Sequence, residues 1–323
     1  MKKGIRIAFK IVLWLLLGIF VLAVAAAALV QLPAVQDFAR EKAVNYLREK
    51  LQTEVKIDYV RLRLPNTLLM ENIYLEDRQQ DTLLSSGRFF VDISLFKLLK
   101  NEVEINEIRV EKFRANISRS LPDSSYNFDF IIDAFAVPGT PPEPEDTSAA
   151  PLVLSLREVV LDDIRLDYLD ETLESGARLY LGHFMARMNG TDIENMRFRV
   201  EKTETSGTRL EYYDRKGGLE TRLQLGGLSV SALGLDLLKQ QLDLGQITLD
   251  NSRAAVAFRK TGAAPRPAET TADSLPESPE SAAGWNVTVS ELLVNNTALR
   301  FDDDNSAPQP AGMDYMHLDV TGL

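Results

Sequence analysis

The hydrophobic and polar positions divide the chain into three regimes. From Ile11 to Val30 no residue is charged. From Val35 to Leu51 apolar residues return every four positions, at Val35, Ala39, Ala43, Leu47 and Leu51, with Phe38 and Tyr46 beside them. That spacing predicts a helix over 35–51 with one apolar stripe. Its polar side mixes signs (Asp37, Arg40, Glu41, Arg48, Glu49), which favours packing on the next domain over lying on a membrane surface. From about Val55 the period becomes two. Residues 103–110, 159–168, 195–201, 219–225, 247–258 and 287–301 alternate apolar with charged positions and read as strands. Turn signals such as Asp214-Arg215-Lys216-Gly217-Gly218 separate them. Eleven of the fourteen prolines fall in 138–151, 261–284 and 305–312, which read as polar loops. Short helical segments are expected at 94–100 and 232–239.

Two internal repeats run through the strand region. In one, an apolar-x-apolar triplet is followed by two polar residues, after which alternation resumes. It occurs at Leu68-x-Met70-Glu71-Asn72-Ile73, at Ile108-x-Val110-Glu111-Lys112-Phe113, and at Val159-x-Leu161-Asp162-Asp163-Ile164. Weaker copies start at Ile247 and Leu292, where Ser252 and Thr297 replace the apolar residue after the polar pair. The insertion keeps one face apolar on both sides of it, as a bulge or tight bend would. An Asp-containing turn is expected to close the unit at Asp77, Asp170 and Asp302. The other repeat aligns residues 91–110 with 230–249 without a gap.

Composition then sets the compartment. Lys2, Lys3, Arg6 and Lys10 precede the uncharged run, and twenty helical residues span about 30 Å, the thickness of a bilayer core. The basic flank stays cytoplasmic and the remainder is exported. A cleaved signal peptide is the competing reading. The run exceeds the usual signal core of about 7–15 residues, so a retained anchor is preferred. The chain has 36 basic and 47 acidic residues, a net charge of −11. Without the four basic residues before the run, the exported part has 32 against 47, a net of −15. That excludes a nucleic-acid binder, which needs clustered positive charge. Cysteine is absent, so disulfides, thiol catalysis and Cys-based metal sites are excluded.

The expected fold class is mainly β, largely antiparallel, with few helices. A one-sided sheet must cover its apolar face. Composition alone slightly favours a closed two-sheet sandwich. The other solution is a long curved sheet whose apolar face is covered by acyl chains.

The order of segments bears on that choice. A basic tip and an anchor are followed by DFAREKAVNYLREKL, TEVKIDYVRLRLPNTLLMENIYLEDRQQDTLL, VDISLFKLLKNEVEINEIRVEKFRANI and DSSYNFDFIIDAFA. Over residues 1–136 this resembles the N-terminal region of TamB-like proteins, within the AsmA-like family of Gram-negative bacteria. From 151 onward only the repeat style is shared. The resemblance implies an inner-membrane, single-pass protein whose bulk is periplasmic, with an elongated, twisted, groove-like β-sheet. It implies transport of phospholipid toward the outer membrane, or a tethered scaffold for outer-membrane protein translocation and assembly. Family members are longer, and Leu323 falls inside a strand-like segment, so the chain reads as an N-terminal fragment. An outer-membrane assembly protein would then be met through a C-terminal domain outside this sequence.

The expected organisation is a cytoplasmic tip and anchor (1–32), an amphipathic helix (33–54), a first β region (55–137), a Pro-rich loop (138–151), a second β region (152–260), a disordered loop (261–284) and a further β-repeat (285–323). The expected partners are the inner membrane, through residues 11–30, and phospholipid acyl chains. The groove would be lined by Val103, Ile105, Ile108, Val110, Phe113 and Ile117, and extended by Leu161, Ile164, Leu166, Ile247, Leu249, Val294, Leu299 and Phe301. No catalytic residue, cofactor or metal site is expected. The two histidines, His183 and His317, lack metal spacing, Asp302-Asp303-Asp304-Asn305 lacks an EF-hand pattern and reads as a hairpin tip, and no nucleophile elbow or phosphate loop occurs.

Overall fold

The computed structural model describes residues 18, 21, 25, 28–63, 66–94, 97, 102–122, 124–136, 153–192, 195–260 and 285–323. Most of the expected anchor at 11–30, the whole of the loops at 138–151 and 261–284 and most of the helical segment at 94–100 lie outside them. Among the described residues no helix is long and apolar enough to cross a membrane.

Helix α1 (Pro33–Leu51) comes first. It is followed by β1 (Val55–Arg63), β2 (Thr67–Glu76), β3 (Thr82–Ile93), β4 (Glu102–Glu111), β5 (Arg114–Ser120) and β6 (Ser125–Tyr126). Helix α2 (Asp129–Phe135) precedes four long strands, β7 (Val153–Asp170), β8 (Ser175–Asp192), β9 (Arg197–Asp214) and β10 (Leu219–Asp236). The chain continues as β11 (Gln241–Asp250), β12 (Arg253–Phe258), β13 (Asn286–Asn295), β14 (Ala298–Asp303) and β15 (His317–Val320). All fifteen strands belong to one sheet, so the two-sheet sandwich that composition slightly favoured does not form among the described residues. Pairing is antiparallel except where β4 and β5 meet β7, β11 meets β13, and β12 meets β14.

Strands end where an Asp side chain takes over turn amides. Asp77 Oδ1 accepts from the amides of Gln79 and Asp81 at 3.0 and 2.9 Å. Asp192, Asp214 and Asp236 each accept from an amide three residues on. This is the Asx-turn chemistry that makes Asp a strand terminator. The turn expected at Asp302 falls one residue later, at Asp303, the last residue of β14, which accepts from the Asn305 amide at 3.0 Å. The expected helical segment at 232–239 is also corrected. Residues 232–236 finish β10 and 237–240 form a turn, because Asp236 bonds the Lys239 amide.

Helix α1 covers the free edge of β1. Gln36 Nε2, Arg40 Nη1 and Arg48 Nε donate to the carbonyls of Leu62, Ile57 and Val55 at 2.8, 3.0 and 2.8 Å. Arg61 adds a 2.8 Å ion pair to Asp37. The packed face therefore includes Gln36, Arg40, Val44, Leu47, Arg48 and Leu51, and the expected stripe through Val35, Ala39 and Ala43 is exposed. A strand edge offers unpaired carbonyls, so it selects donors over methyl groups. Leu51 then joins Val55, Leu75, Leu83 and Phe130 of α2 in a compact core at this end of the sheet.

Asp170 is fully buried, with Arg119 3.5 Å away. Its carboxylate falls from 3.8 to about 2, chiefly because the Thr172 hydroxyl donates to it, with help from the Leu173 and Thr172 amides and Tyr168. A depressed folded value stabilises the fold above the unfolded value and loses that contribution as pH falls. The loss should occur between pH 3.8 and about 2. Melting temperatures measured across that range should fall less steeply for Asp170→Asn than for the wild type.

Candidate functional site

The polar pair of the sequence repeat has a consistent backbone. Its second residue is left-handed in every copy, with φ of 54° at Asn72, 55° at Lys112, 54° at Asp163, 49° at Asn251 and 46° at Asn296. Gly207 in β9 is a further member, at 64°. These residues stand in one line across the sheet. The pairs on either side of the line keep the same register, as with Asp162↔His183 and Ile164↔Leu181. A bulge adds a residue to one strand of a pair. Here neighbouring strands share the extra residue, so the line is a crease rather than a set of bulges.

Strands running in the opposite direction meet the crease with glycine. Gly87, Gly182 and Gly226 stand opposite left-handed residues, and a Cβ on Gly226 would lie 2.5 Å from the Asn251 carbonyl oxygen. Glycine in a strand marks such close backbone approaches. A second line lies six residues away, about 20 Å along the strands at about 3.3 Å per residue. There left-handed Ala232 stands opposite Gly245, and the register of β8 shifts between Arg187 and Gly190.

Crossing a crease inverts the alternation, so one face stays apolar along the full strand. In the composite strand β4–β5 that face carries Val103 and Ile105, then Ile108 and Val110, then Phe113, Ala115 and Ile117. Val110, Leu161, Leu249 and Val294 share one row across the sheet, with Phe184, Thr205 and Leu228 between them. Ile108 and Ile247 share the next row. Beyond the crease, Ile164 follows Phe113, Leu166 shares a row with Leu299, and Ile117 shares one with Phe301. The fourteen predicted residues thus come together on one face.

Their exposure is the informative quantity. None of the fourteen is buried. Thirteen are half-buried and Leu299 is 37% exposed. A filled core would leave them all nearly inaccessible. Only twelve apolar side chains are buried among the described residues, and five of these make the core beside α1 and α2. Sequence reading missed the middle of the face, which β8, β9 and β10 supply through Leu179, Phe184, Leu210, Leu223 and Leu228. Glycines and threonines interrupt those strands and hide their period. The signal that could have found them is the inversion of alternation at Gly182, Gly207 and Gly226.

The hydroxyls beside the crease replace lost ladder bonds. Ser252 Oγ donates to the Asp250 carbonyl at 2.9 Å and Thr297 Oγ1 to the Asn295 carbonyl at 3.2 Å. This explains why the weaker repeats carry Ser252 and Thr297 where others carry Ile or Phe. Thr205 donates to the His183 carbonyl at 2.8 Å and lies 2.7 Å from the Thr208 hydroxyl. The hydroxyls are therefore satisfied internally.

The opposite face is charged. Arg88 joins Glu71 and Glu111 at 3.2 and 3.1 Å. His183 Nδ1 lies 2.6 Å from Asp162 on this face. His317 Nδ1 lies 3.0 Å from Asp314, whose carboxyl is lowered by the Gln309 amide first and by the Met316 amide and His317 as well. The acidic run sits where β14 ends. Arg259 reaches Asp302 and Asp304 at 3.3 and 3.4 Å, and Asp303 is held below its usual range by the Asn305 amide and Ser306. Among the described residues no three acidic or histidine side chains are grouped to hold a metal ion.

The sheet's two sides end differently. The β1 edge is covered by α1. On the other side β13 pairs, among the described residues, only with β11, and its Val287, Val289 and Leu292 are 53%, 45% and 60% exposed.

No protein-family model matches the chain, and no curated protein matches it either.

Two substitutions test the crease. Gly226→Val should destabilise the fold by about 1–3 kcal/mol, because its Cβ collides with backbone oxygens that cannot rotate away. Lys112→Gly should leave stability unchanged or raise it by up to about 1 kcal/mol, since left-handed geometry costs a lysine about that much. Denaturant unfolding of both variants measures the two signs.

Proposed function

We propose that the chain is a TamB-like member of the AsmA-like family, anchored in the inner membrane through residues 11–30, that carries phospholipid toward the outer membrane. The observation that supports this reading is one uninterrupted row. Val55, Leu75, Leu84, Ala115, Leu166, Leu179, Leu210, Leu223, Ala254, Leu299 and Val320 lie side by side across eleven strands. At about 4.8 Å per strand the row is about 48 Å long. No second layer covers it among the described residues beyond the core near β1.

The mechanism is passive. In this reading the two creases divide the apolar face into three panels that together form a groove. Acyl chains lie against the panels while headgroups remain in water. Burying a CH₂ is worth about 0.8 kcal/mol. Each methylene that leaves one leucine meets another, so motion along the row meets no deep trap. The threonines of β9 interrupt the rows between the creases. The Thr205 hydroxyl is bonded inside the sheet, to the His183 carbonyl and the Thr208 hydroxyl, so it offers the acyl chains no strong polar stop.

A second reading is a membrane-tethered scaffold for outer-membrane protein assembly. The open β13 edge favours it, because an exposed strand edge accepts an added strand.

Mass spectrometry of lipids that co-purify with the chain tests the first reading. Phospholipid should be recovered reproducibly. Val110→Asp and Leu249→Asp should each lose most of it with circular dichroism unchanged. Recovery of lipid-free wild-type protein would sink the transport reading. The scaffold reading instead expects Val289→Lys with Leu292→Lys to abolish crosslinks to a client strand and leave bound lipid unaltered.

A further inference from the structure

One row on the charged face holds four arginines and a lysine and no carboxylate. In several other rows facing strands set opposite charges against each other, although Arg187 also faces Lys202 and Glu107 faces Glu158. Arg187 reaches Glu158 at 3.2 Å, Arg197 reaches Asp236 at 3.1 Å, and Arg178 reaches Asp167 at 3.7 Å. In the row just beyond the crease, Arg114 is the direct cross-strand partner of Arg165. The row continues through Tyr180 and Arg209 to Arg253. It extends the other way through Ser85 and Tyr74 to Lys56. No carboxylate stands in it, in a chain whose net charge is −11.

Like charges set directly opposite each other destabilise a sheet. The cations are also incompletely neutralised. Arg165 lies 3.5 Å from Asp163, whereas Arg114, Arg209 and Arg253 make no ion pair among the described residues. Arg165 and Arg209 both lie over the ring of Tyr180, at 5.4 and 5.9 Å from its centroid. The shared ring limits the rotamers of both guanidinium groups, which flank it from the two neighbouring strands. A cavity of about 560 Å³ opens here, lined by Arg165, Arg178, Tyr180 and Arg209. Asp167 and Glu211 also line it, and Asp167 is engaged by Arg178.

The geometry points to an anion site on this face, built from Arg165 and Arg209 across Tyr180 with Arg114 beside them, that takes a phosphate group. Guanidinium forks match phosphate oxygens in two-point hydrogen bonds. A phosphate would also relieve the Arg114–Arg165 repulsion, so it would bind the folded sheet in preference to the unfolded chain. The site lies on the face opposite the apolar rows and does not depend on the lipid reading. The phosphate can come free in solution or as the headgroup of an anionic lipid.

The full chain in neutral detergent should be titrated by calorimetry with inorganic phosphate, and separately with dihexanoyl phosphatidylglycerol against dihexanoyl phosphatidylcholine. Binding of inorganic phosphate, weakened at least about tenfold by Arg165→Gln with Arg209→Gln, supports a free-phosphate ligand. Binding of the phosphatidylglycerol alone, weakened equally, supports a headgroup. Arg165→Lys should retain part of the affinity. Without ligand, Arg165→Gln should melt no lower than wild type, since it removes a repulsion. Absence of binding by both probes, or binding unchanged in the double variant, overturns the site.

Discussion

A β-strand sends successive side chains to opposite faces, so a long strand keeps one face apolar only if its sequence alternates without error. In this protein the strands bend partway along, and a bend adds a residue. That residue would ordinarily send every later side chain to the wrong face. Neighbouring strands accommodate it at the same level, as a left-handed residue in one direction and as glycine, in most strands, in the other. The apolar face survives because the whole sheet makes the same adjustment. The row of leucines beyond the crease, the charged row behind it and the hydroxyls that repair its hydrogen bonds all take their places from that line.

The second organising feature is asymmetry between the two sides. At the β1 side, donors on α1 satisfy edge carbonyls and a small core closes under α2. At the β13 side, backbone and apolar side chains both remain exposed among the described residues. Stability is therefore concentrated near α1, where five buried apolar side chains meet. Over the rest of the sheet the ladder hydrogen bonds and cross-strand pairs carry the fold. Among the described residues the apolar face is uncovered and free to hold something other than protein, which is why its exposure supports the transport reading more strongly than its composition does.

The charged face supplies the contrast. Its ion pairs are mostly exposed and individually weak, of order 1 kcal/mol or less. Their value lies in register, since a strand slipped by one residue would set Arg187 or Arg197 against the wrong neighbour. Against that background the Arg114–Arg165 pair is a local loss of stability that the fold tolerates.

Much of this was legible from residue order. Period-two alternation predicts the strands, Asp-rich turns predict their ends, and the polar pair predicts a backbone irregularity at Asn72, Lys112 and Asp163. All fourteen predicted groove residues share a face, because alternation is a local property that one strand carries by itself. Other features needed neighbours. The choice between a sandwich and a single open sheet depends on what covers the apolar face, and no single strand encodes that. The packed side of α1 was misread at Val35, Ala39 and Ala43, because an edge strand wants hydrogen-bond donors and a periodicity count looks only for methyl groups. The contribution of β8–β10 stayed hidden because a glycine acts as a crease only opposite a left-handed residue on another strand. Sequence by itself determined which side chains alternate and where the chain turns. Tertiary structure decided how those strands align, since register is a relation between residues up to 51 positions apart.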